Sequence, residues 1–183
     1  MNTCSKVFFI VDGVSPTGKL IVEKLSQLGH RVYFGIHPSQ TALGLAPSMA
    51  TAMPLDLADD NSVFLAATGL LKAERRIDVV VNNMRDPLFG ALEMVVLEKV
   101  ESYLNATLIG MVRLQNAFLP IMRAQNAGRI VTIAPRTKLE NRSLRGWQHA
   151  VCEAEFALAE ALADELDGTG IDVEMIDVPS FEK

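Results

Sequence analysis

The first residues whose types and spacing could do chemistry lie in the segment Asp12–Lys19, DGVSPTGK, between an apolar run and an apparent helix. Backbone N–H groups of a glycine-bearing turn that opens a helix can hold a phosphate group, and Gly13, Ser15 and Gly18 are the candidates for that role. The competing interpretation needs no ligand. Ser15 is a good N-cap and Pro16 suits the first helical position, so the same letters also predict an ordinary helix start.

A second candidate is the pair His149 and Cys152, which stand three residues apart in a segment with helical spacing. Side chains at this spacing meet on a helix, so a thiolate–imidazole pair is conceivable. A buried cysteine beside a surface histidine is the simpler interpretation, because the sequence supplies no third group to orient the pair. Cys4 and the remaining histidines form no ligand spacing, and no metal site is expected.

The bulk properties narrow the class of protein. The chain has 183 residues, 49% of them hydrophobic, and a formal net charge of -5. This size predicts one domain spanning residues 1–183. The acidic balance and the absence of a basic cluster longer than Arg75–Arg76 argue against a nucleic-acid partner. No apolar run approaches the roughly 18 residues that a membrane span needs, so we expect no membrane partner and a cytoplasmic protein.

The elements that must position these residues alternate along the chain. Buried strands are expected at Val7–Val11, Arg31–Gly35, Ile77–Val81, Arg129–Ile133 and Val173–Ile176, with a weaker one at Ala52–Leu55. Helical spacing covers Gly18–Leu28, Ser62–Lys72, Leu97–Arg123 and Trp147–Leu166. Alternation of this kind predicts a doubly wound α/β fold, a parallel sheet of about six strands with helices on both faces.

Several short motifs give the chain a family resemblance. They are Leu55-Asp56-Leu57, Asn82-Asn83, Gly90-Ala91-Leu92-Glu93, Leu119-Pro120-Ile121-Met122, Gly128-Arg129-Ile130-Val131, Leu162-Ala163-Asp164-Glu165-Leu166, Gly170-Ile171-Asp172-Val173 and Val178-Pro179. In this order and at these separations the chain resembles the short-chain dehydrogenase/reductase family over nearly its whole length. The resemblance implies a Rossmann-like fold. It does not by itself imply an activity.

The family's cofactor loop, Thr-Gly-x-x-x-Gly-x-Gly, is only partly present. With Gly13 on its first glycine, Asp12 takes the place of the threonine, and Thr17 and Lys19 replace the other two glycines. A side chain at the second glycine blocks close backbone approach, and a carboxylate repels a pyrophosphate. The second strand ends in Gly35-Ile36-His37, without the acid that NAD-preferring members use for the ribose hydroxyls.

If a dinucleotide is bound, the resemblance assigns its contacts to the retained loop residues and to the ends of two further strands. These residues are Gly13, Ser15, Gly18, Asp56 and Asn82. Met84 and Arg85 replace small residues that line the cofactor in the family. We therefore expect no cofactor, with NAD(P) binding as the alternative.

The family's catalytic positions are all substituted. The resemblance places its serine at Pro135, its tyrosine at Gln148, its lysine at Cys152 and its asparagine at Thr107. Proline has no hydroxyl, glutamine has no titratable proton, and a neutral thiol carries no positive charge to lower a phenol pKa. The proton transfer of the family is thus not expected from these residues.

The chain contains two tyrosines, which are candidates to replace the family's catalytic tyrosine. Tyr33 lies in a predicted strand and Tyr103 near the start of a predicted helix, and neither is an obvious substitute.

In the family the long helices, here residues 97–123 and 147–166, pair with those of a second subunit. The predicted apolar stripes are Val100, Leu104, Leu108, Met111, Leu114 and Leu119 on one helix, and Ala150, Ala154, Leu158, Ala161 and Leu162 on the other.

The end of the chain also bears on function. After Val178-Pro179 the family continues through a substrate-covering segment and a last strand, whereas here residues 180–183 alone follow. The resemblance thus implies that this lid is missing. Three functions follow as hypotheses: a non-catalytic subunit that pairs with itself or with an active relative, an NAD(P)-binding sensor, and an enzyme, either a redox enzyme with an unrecognised proton donor or a non-redox enzyme using His149 and Cys152.

Overall fold

The computed structural model describes residues 5–40, 50–83, 87–134 and 144–177. Within them six strands form one sheet in the order β3-β2-β1-β4-β5-β6, and every neighbouring pair is parallel. The strands are β1 (Val7–Ile10), β2 (Arg31–Ile36), β3 (Thr51–Pro54), β4 (Val79–Asn83), β5 (Gly128–Ala134) and β6 (Ile171–Asp177). The predicted six-stranded parallel sheet is confirmed.

Helices connect the strands. They are α1 (Pro16–Gln27), α2 (Asp60–Glu74), α3 (Leu97–Leu104), α4 (Gly110–Gln125) and α5 (Gly146–Glu165), and the π-helical turn Asn105–Ile109 joins α3 to α4. Residues of α1 pack on one side of the sheet, while residues of α2, α4 and α5 pack together on the other. The helices on both faces cover the apolar surface that a parallel sheet presents on each side.

Apolar β-branched and aromatic residues make the central strands a two-sided core. In β1, Phe9 packs against the α2, α4 and α5 side and Ile10 against the α1 side. Both side chains are fully buried. Alternate residues of a strand point to opposite faces, so a continuous apolar run supplies both layers.

The long helix predicted for residues 97–123 is interrupted. The turn Asn105–Ile109 is π-helical, which leaves backbone carbonyl groups without their usual helical donors. Arg113 on α4 compensates, because its Nη1 donates to the carbonyl oxygens of Asn105 at 3.1 Å and of Leu57 at 3.0 Å, and its Nε forms an ion pair with Asp60. The interruption therefore ties the start of α4 to the segment between β3 and α2.

Candidate functional site

The turn between β1 and α1 is built around Ser15. Its hydroxyl donates to the carbonyl oxygen of Asp12 at 3.0 Å and accepts from the N–H of Gly18 at 3.1 Å, as an N-cap does. Asn83, at the end of β4, donates from Nδ2 to the same hydroxyl at 2.9 Å. Pro16 occupies the first helical position and has no N–H. The cap predicted from the sequence is therefore present, and a neighbouring strand reinforces it.

The two glycines of this turn lie in crowded surroundings. A Cβ added at Gly18 would lie 2.1 Å from the carbonyl oxygen of Asp12, and one added at Gly13 would lie 2.5 Å from Cβ of Phe34. Gly18 thus allows the first turn of α1 to pack closely against the backbone of Asp12 and Gly13. Asp12 adopts φ 52°, a left-handed conformation that aspartate tolerates better than most residues.

A cleft of about 280 Å³ opens where β1 and β2 end, the edge at which parallel α/β sheets hold their ligands. The described residues that line it are Asp12, His37, Ser39, Gln40, Tyr103, Ala106 and Thr107. Asp12 and His37 come from the ends of β1 and β2, whereas Tyr103 and Thr107 come from α3 and the π-helical turn. The π-helical turn therefore forms one wall of the cleft.

Asp56 and Asn82 lie at the same edge of the sheet but differ in their hydrogen-bond partners. The Asp56 carboxylate accepts from the N–H of Ala58 at 2.9 Å through Oδ1, while Oδ2 lies 3.6 Å from Nε2 of His37. The Asp56 carboxylate therefore stabilises the turn that follows β3. Asn82 is 4% exposed, and its Nδ2 has no hydrogen-bond partner among the described residues.

The positions matched to the family's catalytic tyrosine and lysine lie in the interior. Gln148 is 4% exposed and Cys152 is fully buried, the latter in a cluster with Ala134, Phe156 and Met175. His149, the proposed partner of the thiol, is half-buried. Pro135, matched to the family's serine, and Met84 and Arg85 beside the cofactor position lie outside the described residues.

Thr107, matched to the family's asparagine, is 5% exposed and donates from Oγ1 to the carbonyl oxygen of Tyr103 at 2.6 Å. Its hydroxyl is therefore used within the helix, four residues back along the chain. In the part of the chain that the structure describes, no group of three or more His, Cys, Asp or Glu side chains could hold a metal ion.

Sequence reasoning set Tyr103 aside as no obvious substitute and did not single out Glu155. Burial, followed by the neighbouring Glu155 carboxylate and Cys152 thiol, raises the pKa of Tyr103 above its ordinary range. Glu155 is 2% exposed, and burial raises its pKa from 4.5 to about 7. The available signal was the helical spacing of Gln148, Cys152 and Glu155, which places a carboxylate on an otherwise inward-facing stripe.

Tyr33, the other tyrosine, is not part of the cleft. Its hydroxyl donates to the Glu74 carboxylate at the end of α2, a group that also pairs with Arg31. Desolvation and this contact raise the Tyr33 pKa. Tyr33 thus joins β2 to α2.

Sequence comparison shows which known proteins this chain is similar to. Residues 6–182 match the family model described as short chain dehydrogenase. The chain is 27% identical over 176 residues to a 3-ketodihydrosphingosine reductase of Bacteroides thetaiotaomicron, which covers 96% of this chain and 64% of that protein. It is 32% identical over 139 residues to the human 17-beta-hydroxysteroid dehydrogenase type 1, covering 74% of this chain and 41% of the relative. The chain thus spans less than two thirds of the length of these curated relatives.

Solved structures of short-chain dehydrogenases and oxidoreductases superpose closely on this chain. A short-chain dehydrogenase from Streptomyces avermitilis superposes with a TM-score of 0.86 and 28% identity, over 97% of this chain and 66% of the other. A metagenomic short-chain oxidoreductase in complex with NADP gives a TM-score of 0.88 at 23% identity, over 96% of this chain and 83% of that one, and shares the fold. The chain belongs to the short-chain dehydrogenase/reductase family.

Proposed function

We propose that this protein is a non-catalytic member of the family that pairs, through its long helices, with itself or with an active relative. The observation that carries this proposal is the inward face of α5. Gln148 and Cys152 occupy the matched tyrosine and lysine positions, and both are buried. Neither an amide nor a neutral thiol can supply the proton and the positive charge that the family's reaction takes from these positions.

The cofactor turn supports the same proposal. The Ser15 hydroxyl already satisfies the N–H of Gly18, and Pro16 has no N–H to offer to a phosphate. Asp12 lines the cleft and brings a carboxylate toward the position of a pyrophosphate. This turn is less suited to a pyrophosphate than the family's glycine-rich loop, so we derive no reaction step through a dinucleotide.

Pairing is supported by the outer surface of α5. Ala150, Ala157, Leu158 and Ala161 are exposed on this helix, and small side chains let a second helix approach closely. A shallow groove of about 450 Å³ lies between α4 and the last turns of α5, and its lining includes Leu119 and Pro120 of α4 and Leu162 of α5. Four residues that the sequence had placed on the pairing stripes are buried in the chain's own core, namely Val100, Met111, Leu114 and Leu162. The pairing surface we propose is therefore centred on α5.

The sensor function is the second candidate, and one comparison favours it. The metagenomic oxidoreductase with the same fold was solved with NADP. Thr17 also retains a backbone N–H in the first turn of α1, where the helix dipole attracts anions. A dinucleotide bound there without hydride transfer would make the protein a sensor. The enzyme function based on His149 and Cys152 has less support, because Cys152 lies in an apolar cluster.

A calorimetric titration with NADH and separately with NADPH, each to millimolar concentration, tests the proposal. We expect no binding heat and no hydride transfer to aldehyde or ketone substrates. Binding in the micromolar range, about -8 kcal/mol, without turnover would replace the proposal by the sensor function. Measurable oxidation of NADH or NADPH by the purified protein would overturn the non-catalytic role altogether.

A further inference from the structure

An exposed apolar stripe runs along the outer side of α2. It consists of Phe64, Leu65, Thr68 and Leu71, which the spacing of a helix places on one face. Phe64 is 61% exposed, Leu65 58% and Leu71 37%. The Thr68 hydroxyl donates to the carbonyl oxygen of Phe64 at 2.8 Å, so its hydrogen bond is made within the helix. An exposed apolar surface of this kind is typical of an interaction site.

The core of the chain does not account for this α2 stripe. Phe64 and Leu65 are exposed, so no other described part of the chain covers the stripe. The opposite face of the helix is the one that packs in the cluster formed with the sheet, α4 and α5. The buried residues on that face are Val63, Ala66, Ala67 and Leu70. Removing the stripe from water therefore takes a partner outside the single chain.

The two ends of α2 carry charges of opposite sign. At its start, Asp59 caps the helix by accepting from the N–H of Asn61 at 3.0 Å. Asp60 follows, and its side chain is 84% exposed although it forms an ion pair with α4. At the other end, Lys72 and Arg75 are exposed, and neither side chain has an ion-pair partner among the described residues. The helix thus has an acidic start, an apolar middle and a basic end.

These charges make the α2 stripe complementary to itself. When two copies of α2 lie antiparallel across a twofold axis, the acidic start of each helix meets the basic end of the other. Pairing of position 60 with position 72 places the axis beside position 66, where Phe64 of one copy lies opposite Thr68 of the other. A parallel pair would instead bring like charges together. A partner carrying one sign of charge would match only one end of the helix.

We propose that the α2 stripe is an isologous contact between two copies of this chain, in which Lys72 of each copy faces Asp60 of the other. The inference goes beyond the pairing proposed for α5 and does not rest on it, because the stripe contains no residue of α5. Pairs joined through α5 would associate further through α2. A single helix from each copy forms the contact, so we expect it to be the weaker of the two.

Charge reversal tests the antiparallel arrangement. Sedimentation velocity over a concentration series is measured on the full chain carrying Leu158→Glu, which places a charge on the exposed face of α5 and so removes the other proposed contact. This protein should still dimerise reversibly. Adding Lys72→Glu or Asp60→Lys should weaken dimerisation about tenfold or more, because each change replaces two ion pairs by two like-charge contacts. An equimolar mixture of the two variants has opposite charges at both contacts and should recover the association.

The apolar part of the stripe has its own test and control. Phe64→Glu, added to the same protein, should weaken dimerisation about tenfold or more, because a charge would be buried at the centre of the contact. Leu20→Glu, at a 57% exposed position on α1, should leave dimerisation unaltered. Thermal unfolding of each variant verifies that it is folded. Lys72→Glu and Phe64→Glu change exposed side chains, so they retain the test if loss of the Arg113 ion pair destabilises Asp60→Lys.

Three results would overturn the inference. The first is a Leu158→Glu protein that stays monomeric up to about 1 mM, which corresponds to an affinity weaker than about -4 kcal/mol. The second is dimerisation that Lys72→Glu and Phe64→Glu leave unchanged. The third is a mixture of folded Lys72→Glu and Asp60→Lys proteins that does not associate. The NADH and NADPH titrations and the effect of Leu158→Glu alone are read separately, so failure of the α2 contact is distinguishable from failure of the proposed function.

Discussion

Glu155 shows how a single residue couples burial to pH. This residue of α5 is 2% exposed, and desolvation raises the pKa of its carboxyl from 4.5 to about 7. The folded pKa is thus above the unfolded value. Below about pH 4.5 both states hold the proton. As pH rises through 7 the folded state must either keep the proton or bury a charge, so the stabilising effect of the proton is lost.

We therefore predict that Glu155→Gln stabilises the protein relative to the parent as the pH rises. The difference in free energy of unfolding between variant and parent should grow by about 3 kcal/mol between pH 5 and pH 8, since one pKa unit corresponds to about 1.4 kcal/mol. Urea unfolding at both pH values measures it.

Glu160→Gln provides the matched control for this experiment, because Glu160 is exposed on the same helix. Its effect should not change with pH over the same range. A pH-independent difference for Glu155→Gln would show that the carboxyl is hydrated or paired in solution. The raised pKa would then be wrong.

At the scale of elements, the junction between β1 and α1 decides how closely helix and strand approach. The N-terminus of α1 is capped by Ser15, and Gly18 lies against the backbone of Asp12. A side chain at position 18 meets a carbonyl oxygen, which cannot rotate away as a flexible side chain can. The same helix start that resembles a phosphate loop is therefore required by packing alone.

We predict that Gly18→Ala destabilises the fold by about 3 kcal/mol or more, because the added methyl group forces α1 away from β1. Gly69→Ala in α2 is the matched control. Its Cβ would lie 3.1 Å from Cε of Met53, the end of a flexible side chain. Alanine should therefore stabilise that helix by up to about 1 kcal/mol. Chemical denaturation of both variants gives the comparison, and equal effects would reject the close contact at Gly18.

At the scale of the whole molecule, the sheet and its covering helices, as far as the structure describes them, leave the outer face of α5 exposed. Leu158 on this face is 38% exposed. The described helices include none that is long and apolar enough to pass through a bilayer. A second helical surface is the partner that we propose for α5.

If the chain pairs with itself through α5, Leu158→Glu should weaken self-association about tenfold or more, because a charge would be buried against a like charge in the symmetric pair. Sedimentation velocity over a concentration series measures the change. Leu20→Glu, at a 57% exposed position on α1, should have no effect. An unchanged association constant in Leu158→Glu would exclude this face of α5 from the interface.

The sequence alone predicted most of the fold. Apolar runs such as Val79–Val81 are buried on both sides of a parallel sheet, and the cap at Ser15 depends on its immediate neighbours, so local pattern was sufficient for both. The substituted catalytic positions could also be read directly, because side-chain chemistry is a property of the residue type. Element bounds shifted by a few residues, as expected where helix ends depend on capping.

The tertiary structure alone decided which polar side chains are buried and which groups lie near them. Tyr103 and Glu155 are far apart in the chain, and a tyrosine or a glutamate in a helix is usually exposed. The tertiary fold buries the Glu155 side chain and the Tyr103 hydroxyl, and it places Glu155 near enough to Tyr103 to raise the pKa of the phenol. The π-helical turn that carries Thr107 depends on the distant contacts of Arg113 in the same way. Sequence determines which groups are present, whereas their solvation and their partners depend on contacts between distant segments, which no local pattern encodes.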